Sequence, residues 1–287
     1  MSEKDIELDN QLMVEENNDD AVNLQYDKQE VNYPYKNEKG KKLPNIFNRF
    51  VKRTFDLFSS LTLFLFLNVT LVFPIVMILV AIKMKGNPFF TQARPGLNGK
   101  IIKIYKFRSM TNERDAEGNL LPDDVRLTKF GKILRSTSLD ELPGLLNIII
   151  GQVSVVGPRP HLVSDMMFYS EDAMRRQMVK PGLTGLAQIS GRNNITWEEK
   201  FGYDLEYIDK MGFFYDLGLI FKTIGKVLKK EDIVTEGLVT HEVYGEYLLR
   251  RGAIDKEFYD KQNDKAKQIL ADCGAYNKLL KQERKAK

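Results

Sequence analysis

An uncharged apolar stretch from Leu57 to Ile82 is the most prominent pattern along the chain. At about 1.5 Å per helical residue, a helix of this length crosses the hydrocarbon core of a membrane. Four basic residues flank its two ends, namely Lys52, Arg53, Lys83 and Lys85. Basic flanks are typical of the cytoplasmic side, and Pro74 breaks the helix from within. The pattern therefore predicts a Pro-broken helix that enters and leaves by the same leaflet. A single span kinked at Pro74 is the alternative.

The rest of the chain mixes β-prone and helical patterns. Residues 89–94 and 100–107 are β-prone and enclose a turn with Asn98 and Gly99, which predicts a β-hairpin. Helices are predicted at 130–135, from Ser138 or Asp140 to Ile150 and at 162–178, and residues 197–230 are predicted to be helical with breaks. The predicted fold class is therefore α+β and mostly α-helical. It combines a re-entrant membrane helix with a cytoplasmic domain that contains a small β-hairpin.

Charge divides the chain into unequal parts. Residues 1–40 hold 11 acidic and 4 basic residues, a net charge of −7, so the whole-chain value of +4 leaves +11 on residues 41–287. We predict a disordered acidic leader at 1–45, the membrane helix at 46–85, the cytoplasmic domain at 86–245 and a charged helical tail at 246–287. The leader lacks the basic start and apolar core of a secretory signal. A single cysteine, Cys273, excludes an intramolecular disulfide and favours a reducing compartment.

Adjacent carboxylates at a predicted helix start are the first candidates for chemistry. Ser138 and Glu141 fit a capping box, whereas Pro143 favours a later start with Asp140 as the cap. Either register puts Asp140 and Glu141 in the first helical turn, where the helix dipole favours negative charge. The pair then either caps the helix, or one carboxylate attacks phosphorus while its neighbour holds a divalent metal.

Arginines in polar, turn-forming surroundings favour the second interpretation. They are Arg94, Arg108, Arg135, Arg159 and Arg192. A guanidinium group binds phosphate oxygens bidentately, and loops rich in Pro and Gly fix it at little entropic cost. Five such arginines and a carboxylate pair together predict a diphosphate site. His161, His241, Trp197 and Tyr203 are interpreted as packing or surface residues.

Several motifs occur in a fixed order along the chain. They are Phe90-Thr-Gln-Ala-Arg-Pro-Gly96, Lys103-Ile-Tyr-Lys-Phe-Arg-Ser-Met110, Ser138-Leu-Asp-Glu-Leu-Pro143, Val156-Gly-Pro-Arg-Pro160, Pro181-Gly-Leu-Thr-Gly-Leu-Ala-Gln188 and Gly191-Arg-Asn193. With the apolar segment, they resemble the bacterial sugar transferase family, the monotopic phosphoglycosyl transferases, over about residues 48–245. A single apolar segment is similar to the small form of that family. The family breaks its membrane helix at a Ser-Pro pair, whereas this chain has Phe73-Pro74.

The resemblance implies an enzyme that moves a sugar 1-phosphate from a UDP-sugar to a polyprenyl phosphate such as undecaprenyl phosphate. UMP is released, and the reaction initiates bacterial glycan synthesis at the cytoplasmic face of the inner membrane, ahead of downstream glycosyltransferases. Asp140 is then the nucleophile that forms a phosphosugar intermediate, and Glu141 helps to bind Mg²⁺. The implied substrate-binding residues are Arg94, Lys106, Arg108, Arg135, Arg159 and Arg192. The sequence does not identify the sugar.

Two other functions are weaker alternatives. A non-catalytic, membrane-anchored adaptor could bind anionic lipid or nucleic acid through its basic domain. Only residues 100–108 interleave aromatic and basic residues, which is too short a stretch to favour nucleic acid. An aspartyl-phosphate phosphatase would need an Asp-x-Asp motif at a strand end, and that motif is absent from the sequence.

Overall fold

The computed structural model describes residues 46–191, 195–229 and 242–286. Its longer helices are α1 (Ile46–Val69), α2 (Val72–Lys83), α4 (Lys129–Ser136), α9 (Trp197–Lys210), α10 (Phe213–Lys229), α12 (Lys256–Ala271) and α13 (Cys273–Ala286). Shorter helices are α3 (Asp123–Arg126), α5 (Gly144–Ile149), α6 (Val163–Met166), α7 (Glu171–Met174), α8 (Leu186–Ser190) and α11 (Tyr244–Arg250). The four strands are β1 (Phe89–Pro95), β2 (Ile101–Phe107), β3 (Ser154–Val156) and β4 (Gly182–Thr184). The predicted acidic leader, Arg192 and His241 lie outside the described residues.

Helices α1 and α2 form a bent pair at the predicted membrane segment. Among the described residues, no single helix is long and apolar enough to cross a membrane, but this pair, bent by 69°, meets that requirement together. The break lies at Thr70 and Leu71, where Leu71 has a φ of 61°. It was predicted at Pro74, which instead lies in the first turn of α2. Proline cannot donate to the carbonyl four residues earlier, that of Thr70, and clashes with it, so α1 ends at Val69, just before Thr70.

Two small sheets accompany the helices. Strands β1 and β2 pair antiparallel, with Phe89 opposite Phe107 and Pro95 opposite Ile101, which confirms the predicted hairpin. Asn98 and Gly99 take the positive φ values of 63° and 75° that its turn requires. Strands β3 and β4 pair in parallel and were not predicted. Strands of three residues are too short to carry a hydrophobic alternation.

The chain around the carboxylate pair differs from the predicted helix. Residues Leu139–Glu141 form a 3₁₀ turn, and α5 begins only at Gly144. Ser138 has a φ of 56° and makes no side-chain cap, so the capping box was wrong. Pro143 is the N-cap residue of α5, so a cap at Asp140 was wrong as well. A left-handed residue is needed here because the chain turns sharply between α4 and the carboxylates.

The first half of α1 is bound to the globular part by polar contacts. The buried carboxylate of Asp56 accepts hydrogen bonds from the Ser154 hydroxyl at 2.7 Å and the Val155 amide at 3.1 Å. Arg53 donates to the Ile148 and Ile149 carbonyls at 2.6 and 2.8 Å, which caps the C-terminal end of α5. These contacts hold α1 against β3 and α5.

The tail is helical, as predicted, and one of its faces packs against the hairpin. Ile269 and Tyr276 are buried in a cluster with Ile101 and Val163. Asn277 accepts from the Ile101 amide at 2.8 Å and donates to its carbonyl at 3.0 Å, so it acts as a partner for the outer edge of β2. The charged residues Lys256, Glu257, Asp260, Lys261 and Asp264 of α12 and Lys278 and Lys281 of α13 are exposed.

We expect Asp56→Ala to lower the free energy of unfolding by about 3 kcal/mol, because it leaves buried Ser154 and Val155 donors without an acceptor. The corresponding fall in Tm, about 6–12 °C, can be measured by a thermal melt in detergent micelles. Ser59→Ala is the matched control, since Ser59 donates only to carbonyls of α1 itself. Equal Tm values for the two variants would contradict an anchoring role for Asp56.

Candidate active site

The acidic turn lies directly against the bent helix pair. Leu139 and Leu142, on either side of the carboxylates, pack against the cluster formed by α2, β2 and α4. The buried members of that cluster are Phe73, Val76, Val80, Met84, Phe107 and Leu134. Because the two leucines point into this cluster, Asp140 and Glu141 are held close to the end of the apolar segment.

Asp140 carries a buried carboxylate. Its exposure is 8%, and within the described ranges no group donates a hydrogen bond to its side chain. Burial raises its pKa to about 6, while the positive charge of Lys106 opposes the rise and the charge of Glu141 adds to it. Burial thus makes the Asp140 carboxylate more basic than that of a solvent-exposed aspartate.

Glu141 is held by two cations. Lys106 Nζ lies 3.2 Å and Arg159 Nη2 lies 3.4 Å from the same oxygen, Oε1. Burial alone would raise the pKa of Glu141, but the charges and hydrogen bonds of Lys106 and Arg159 outweigh it and lower the pKa to about 2. Glu141 therefore stays ionised, and it keeps both cations next to Asp140.

The structure brings together some of the predicted phosphate-binding residues. Lys106, Arg135 and Arg159 all act through their charge on Asp140, and Arg135 donates to the Ser109 hydroxyl at 2.9 Å. Arg108 lies next to Gly86, beyond the end of α2. Arg94 donates to Gln92 at 2.5 Å on β1. Arg192 lies outside the described residues.

Sequence reasoning missed a buried residue behind the Gly-Pro-Arg-Pro loop. Arg176 pairs with Asp204 and donates to the Arg159 carbonyl at 2.5 Å. It also lies beside His161, whose ring meets Trp197 edge-on at 4.9 Å. Nothing in the local pattern marks Arg176, because it follows another arginine in a helical run. His161 and Trp197 pack in the interior, as predicted.

The carboxylate pair fits a divalent cation only with help from a substrate. Among the described residues, no group of three or more His, Cys, Asp or Glu side chains could hold a metal ion by itself. Mg²⁺, however, is commonly bound by one or two carboxylates together with substrate phosphates and water. Asp140 and Glu141 offer such oxygens, and Glu141 Oε2 makes no hydrogen bond within the described ranges. The donor chemistry therefore fits Mg²⁺ in the presence of a diphosphate.

Comparison with known proteins finds one family model and several related sugar transferases. The bacterial sugar transferase family matches residues 47–230. The uncharacterized sugar transferase EpsL of Bacillus subtilis is 50% identical over 192 residues, which are 67% of this chain and 94% of the relative. A UDP-glucose:undecaprenyl-phosphate glucose-1-phosphate transferase of Klebsiella pneumoniae is 45% identical over a stretch that covers 63% of this chain and 41% of the relative's length. A UDP-galactose-lipid carrier transferase of Erwinia amylovora is 37% identical over a stretch that covers 64% of this chain and 42% of the relative's length.

Proposed function

This chain belongs to the bacterial sugar transferase family, and we propose that it transfers a sugar 1-phosphate from a UDP-sugar to undecaprenyl phosphate with release of UMP. One observation carries the proposal. The buried carboxylate of Asp140, which has no hydrogen-bond partner in the part of the chain that the structure describes, lies beside Glu141 and its two bound cations. It lies on a turn packed against the apolar helix pair. That arrangement suits a reaction between a charged diphosphate and a lipid phosphate.

Asp140 acts in two displacements at phosphorus. Its carboxylate attacks the phosphorus that carries the sugar, and the bond to the bridging oxygen breaks, so UMP leaves with that oxygen. The oxygen of the lipid phosphate then attacks the same phosphorus and displaces Asp140, which regains its free carboxylate. Because the two substrates react in separate steps, the soluble and the lipid substrate need not be bound together.

The cations stabilise the charge that moves during these steps. Lys106 and Arg159, which hold Glu141 in the free protein, can also contact the diphosphate oxygens, and the positive charge of Arg135 also acts on Asp140. Charge neutralisation of this kind is the main task in phosphoryl transfer. Mg²⁺, with Glu141 as a ligand, would supply further neutralisation on the diphosphate. Arg94, Arg108 and Arg192 remain proposed substrate-binding residues.

A location at the cytoplasmic face of the inner membrane accounts for the exposed apolar surface. Val69, Leu71 and Ile82 are exposed on α1 and α2 or at their junction, and Phe214 and Phe221 are exposed on α10. A soluble protein seldom exposes this much apolar area in one region. The bend at Thr70 and Leu71 favours entry and return on one leaflet over a straight span. A non-catalytic adaptor would have no use for the buried carboxylate.

The test is release of UMP by detergent-purified protein given a panel of UDP-sugars, with and without undecaprenyl phosphate. We expect release with at least one donor and complete loss of release after chelation of Mg²⁺. The panel includes UDP-glucose, UDP-galactose and UDP-N-acetylhexosamines, because pocket shape decides the sugar. Absence of release from every donor would overturn the enzymatic function and favour the adaptor.

Asp140→Asn should lower turnover at least about a thousandfold, because the amide oxygen is a poor nucleophile towards phosphorus. The variant should also form no phosphosugar adduct, which mass spectrometry detects on the wild-type protein incubated with the donor alone. Asp260→Asn, at an exposed position of α12, is the control and should retain both activity and adduct. An Asp140→Asn protein that still accumulates adduct would exclude Asp140 as the nucleophile.

The same-leaflet topology predicts that both ends of the helix pair face the cytoplasm. Single cysteines placed by Arg49→Cys or Lys83→Cys, in a Cys273→Ser background, should react with a membrane-impermeant maleimide only in inverted vesicles. A cysteine at exposed Asp260 provides the cytoplasmic control. Labelling of one position in spheroplasts and the other in inverted vesicles would establish a true span instead.

A further inference from the structure

A buried ion pair lies behind the loop that carries Arg159. Arg176 and Asp204 are only 4% and 2% exposed, and the Arg176 Nε and Nη2 atoms donate to Asp204 Oδ2 at 2.9 and 2.7 Å. Burying two charges costs several kcal/mol for each ion, so such a pair is not in itself a strong stabiliser. The remaining donors of Arg176 show what the pair accomplishes.

Those donors bind the loop and its neighbours. Arg176 Nη2 donates to the Arg159 carbonyl at 2.5 Å, and Nη1 donates to the Tyr169 hydroxyl at 2.9 Å. Nη2 also lies 3.4 Å from His161 Nε2. His161 Nδ1 forms a hydrogen bond of 2.8 Å with the Tyr169 hydroxyl, which itself accepts from Arg176. One guanidinium therefore fixes the backbone of Arg159 and the ring of His161.

The position of the loop decides where the Arg159 side chain lies. On its N-terminal side the loop is joined to β4, since Gly157 donates to the Thr184 carbonyl and Gly182 donates to the Pro158 carbonyl. At Arg159 itself, the carbonyl is held by Arg176. The guanidinium of Arg159 then reaches Glu141 Oε1 at 3.4 Å. A shift of about 1 Å in such a group can cost a hundredfold in rate.

We propose that Arg176, held in place by Asp204, is a positioning residue for Arg159. It fixes the loop so that the Arg159 guanidinium meets the diphosphate of the donor beside Glu141. This inference rests on the proposed function, because it assigns Arg159 to the donor phosphates. Arg176 itself contacts no substrate and acts only through the loop.

The chain provides a matched control next to Arg176. Arg175 pairs with Asp209 at 3.7 Å and so joins the same 3₁₀ turn, Arg175–Met178, to the same helix, α9. The guanidinium of Arg175 pairs with Asp209, whereas that of Arg176 binds the Arg159 carbonyl. A purely structural effect of the turn should appear in variants of both arginines, whereas a positioning effect should appear only at Arg176.

The test measures UMP release as a function of donor concentration for Arg176→Lys, Arg159→Ala, the double variant and Arg175→Lys. Lysine keeps a charge beside Asp204 but cannot also reach Tyr169 and the Arg159 carbonyl. We expect Arg176→Lys to raise the KM for the donor at least tenfold and Arg175→Lys to change it less than twofold. The double variant should be less than twofold less active in UMP release than Arg159→Ala alone, because both substitutions act through one group.

The proposal is overturned if the activity losses of the two single variants multiply in the double variant. It is also overturned if Arg176→Lys folds and its KM for the donor is unchanged. If a thermal melt shows that Arg176→Lys does not fold, Tyr169→Phe replaces it in the same cycle. That variant removes the hydroxyl between Arg176 and His161, and it should raise the donor KM about threefold, again without multiplying the Arg159→Ala loss. A wild-type protein that releases no UMP would overturn the proposed function and this inference together, whereas an active wild type with multiplying losses would overturn the inference alone.

Discussion

The buried carboxylate of Asp56 is the constraint on which the arrangement of this protein depends. A buried acid that loses its donors costs several kcal/mol, so α1 cannot leave the Ser154 hydroxyl and the Val155 amide of β3. With the start of α1 fixed, the bend at Thr70 and Leu71 returns α2 over β2 and α4. The apolar face of α2 then covers the turn that carries Asp140 and Glu141. The apolar segment is thus part of the candidate site and not only an anchor beside it.

The site separates two neighbouring carboxylates by their partners. Glu141 is held by Lys106 and Arg159, whereas the buried Asp140 carboxylate accepts no hydrogen bond from the residues that the structure describes. One carboxylate therefore organises the cations, and the other is the one we propose as the nucleophile. Behind the site, Arg176, which is paired with Asp204, binds the backbone carbonyl of Arg159. The side chain of Arg159 turns towards Glu141.

The comparisons set this chain among relatives of different length. It spans almost all of EpsL but less than half of the Klebsiella and Erwinia proteins. The family match ends at residue 230, yet the helices beyond it are not separate from the fold. Asn277 pairs with the edge of β2, and Ile269 and Tyr276 complete the cluster around Ile101. A hairpin edge without such a partner would expose its backbone groups.

How much of the fold and of the candidate site could be predicted depends on how far apart in the chain the interacting residues lie. Local chemistry determined the hairpin, because Asn98 and Gly99 suit its turn, and the broken helix, because proline cannot continue one. The ordered motifs determined the family and the choice of Asp140 and Glu141. Tertiary structure alone decided that Ser138 turns left-handed instead of capping a helix, that β3 pairs with β4, and that Arg176 reaches the Arg159 carbonyl. Each of these depends on contacts between residues far apart in the chain, whose energies no local pattern records.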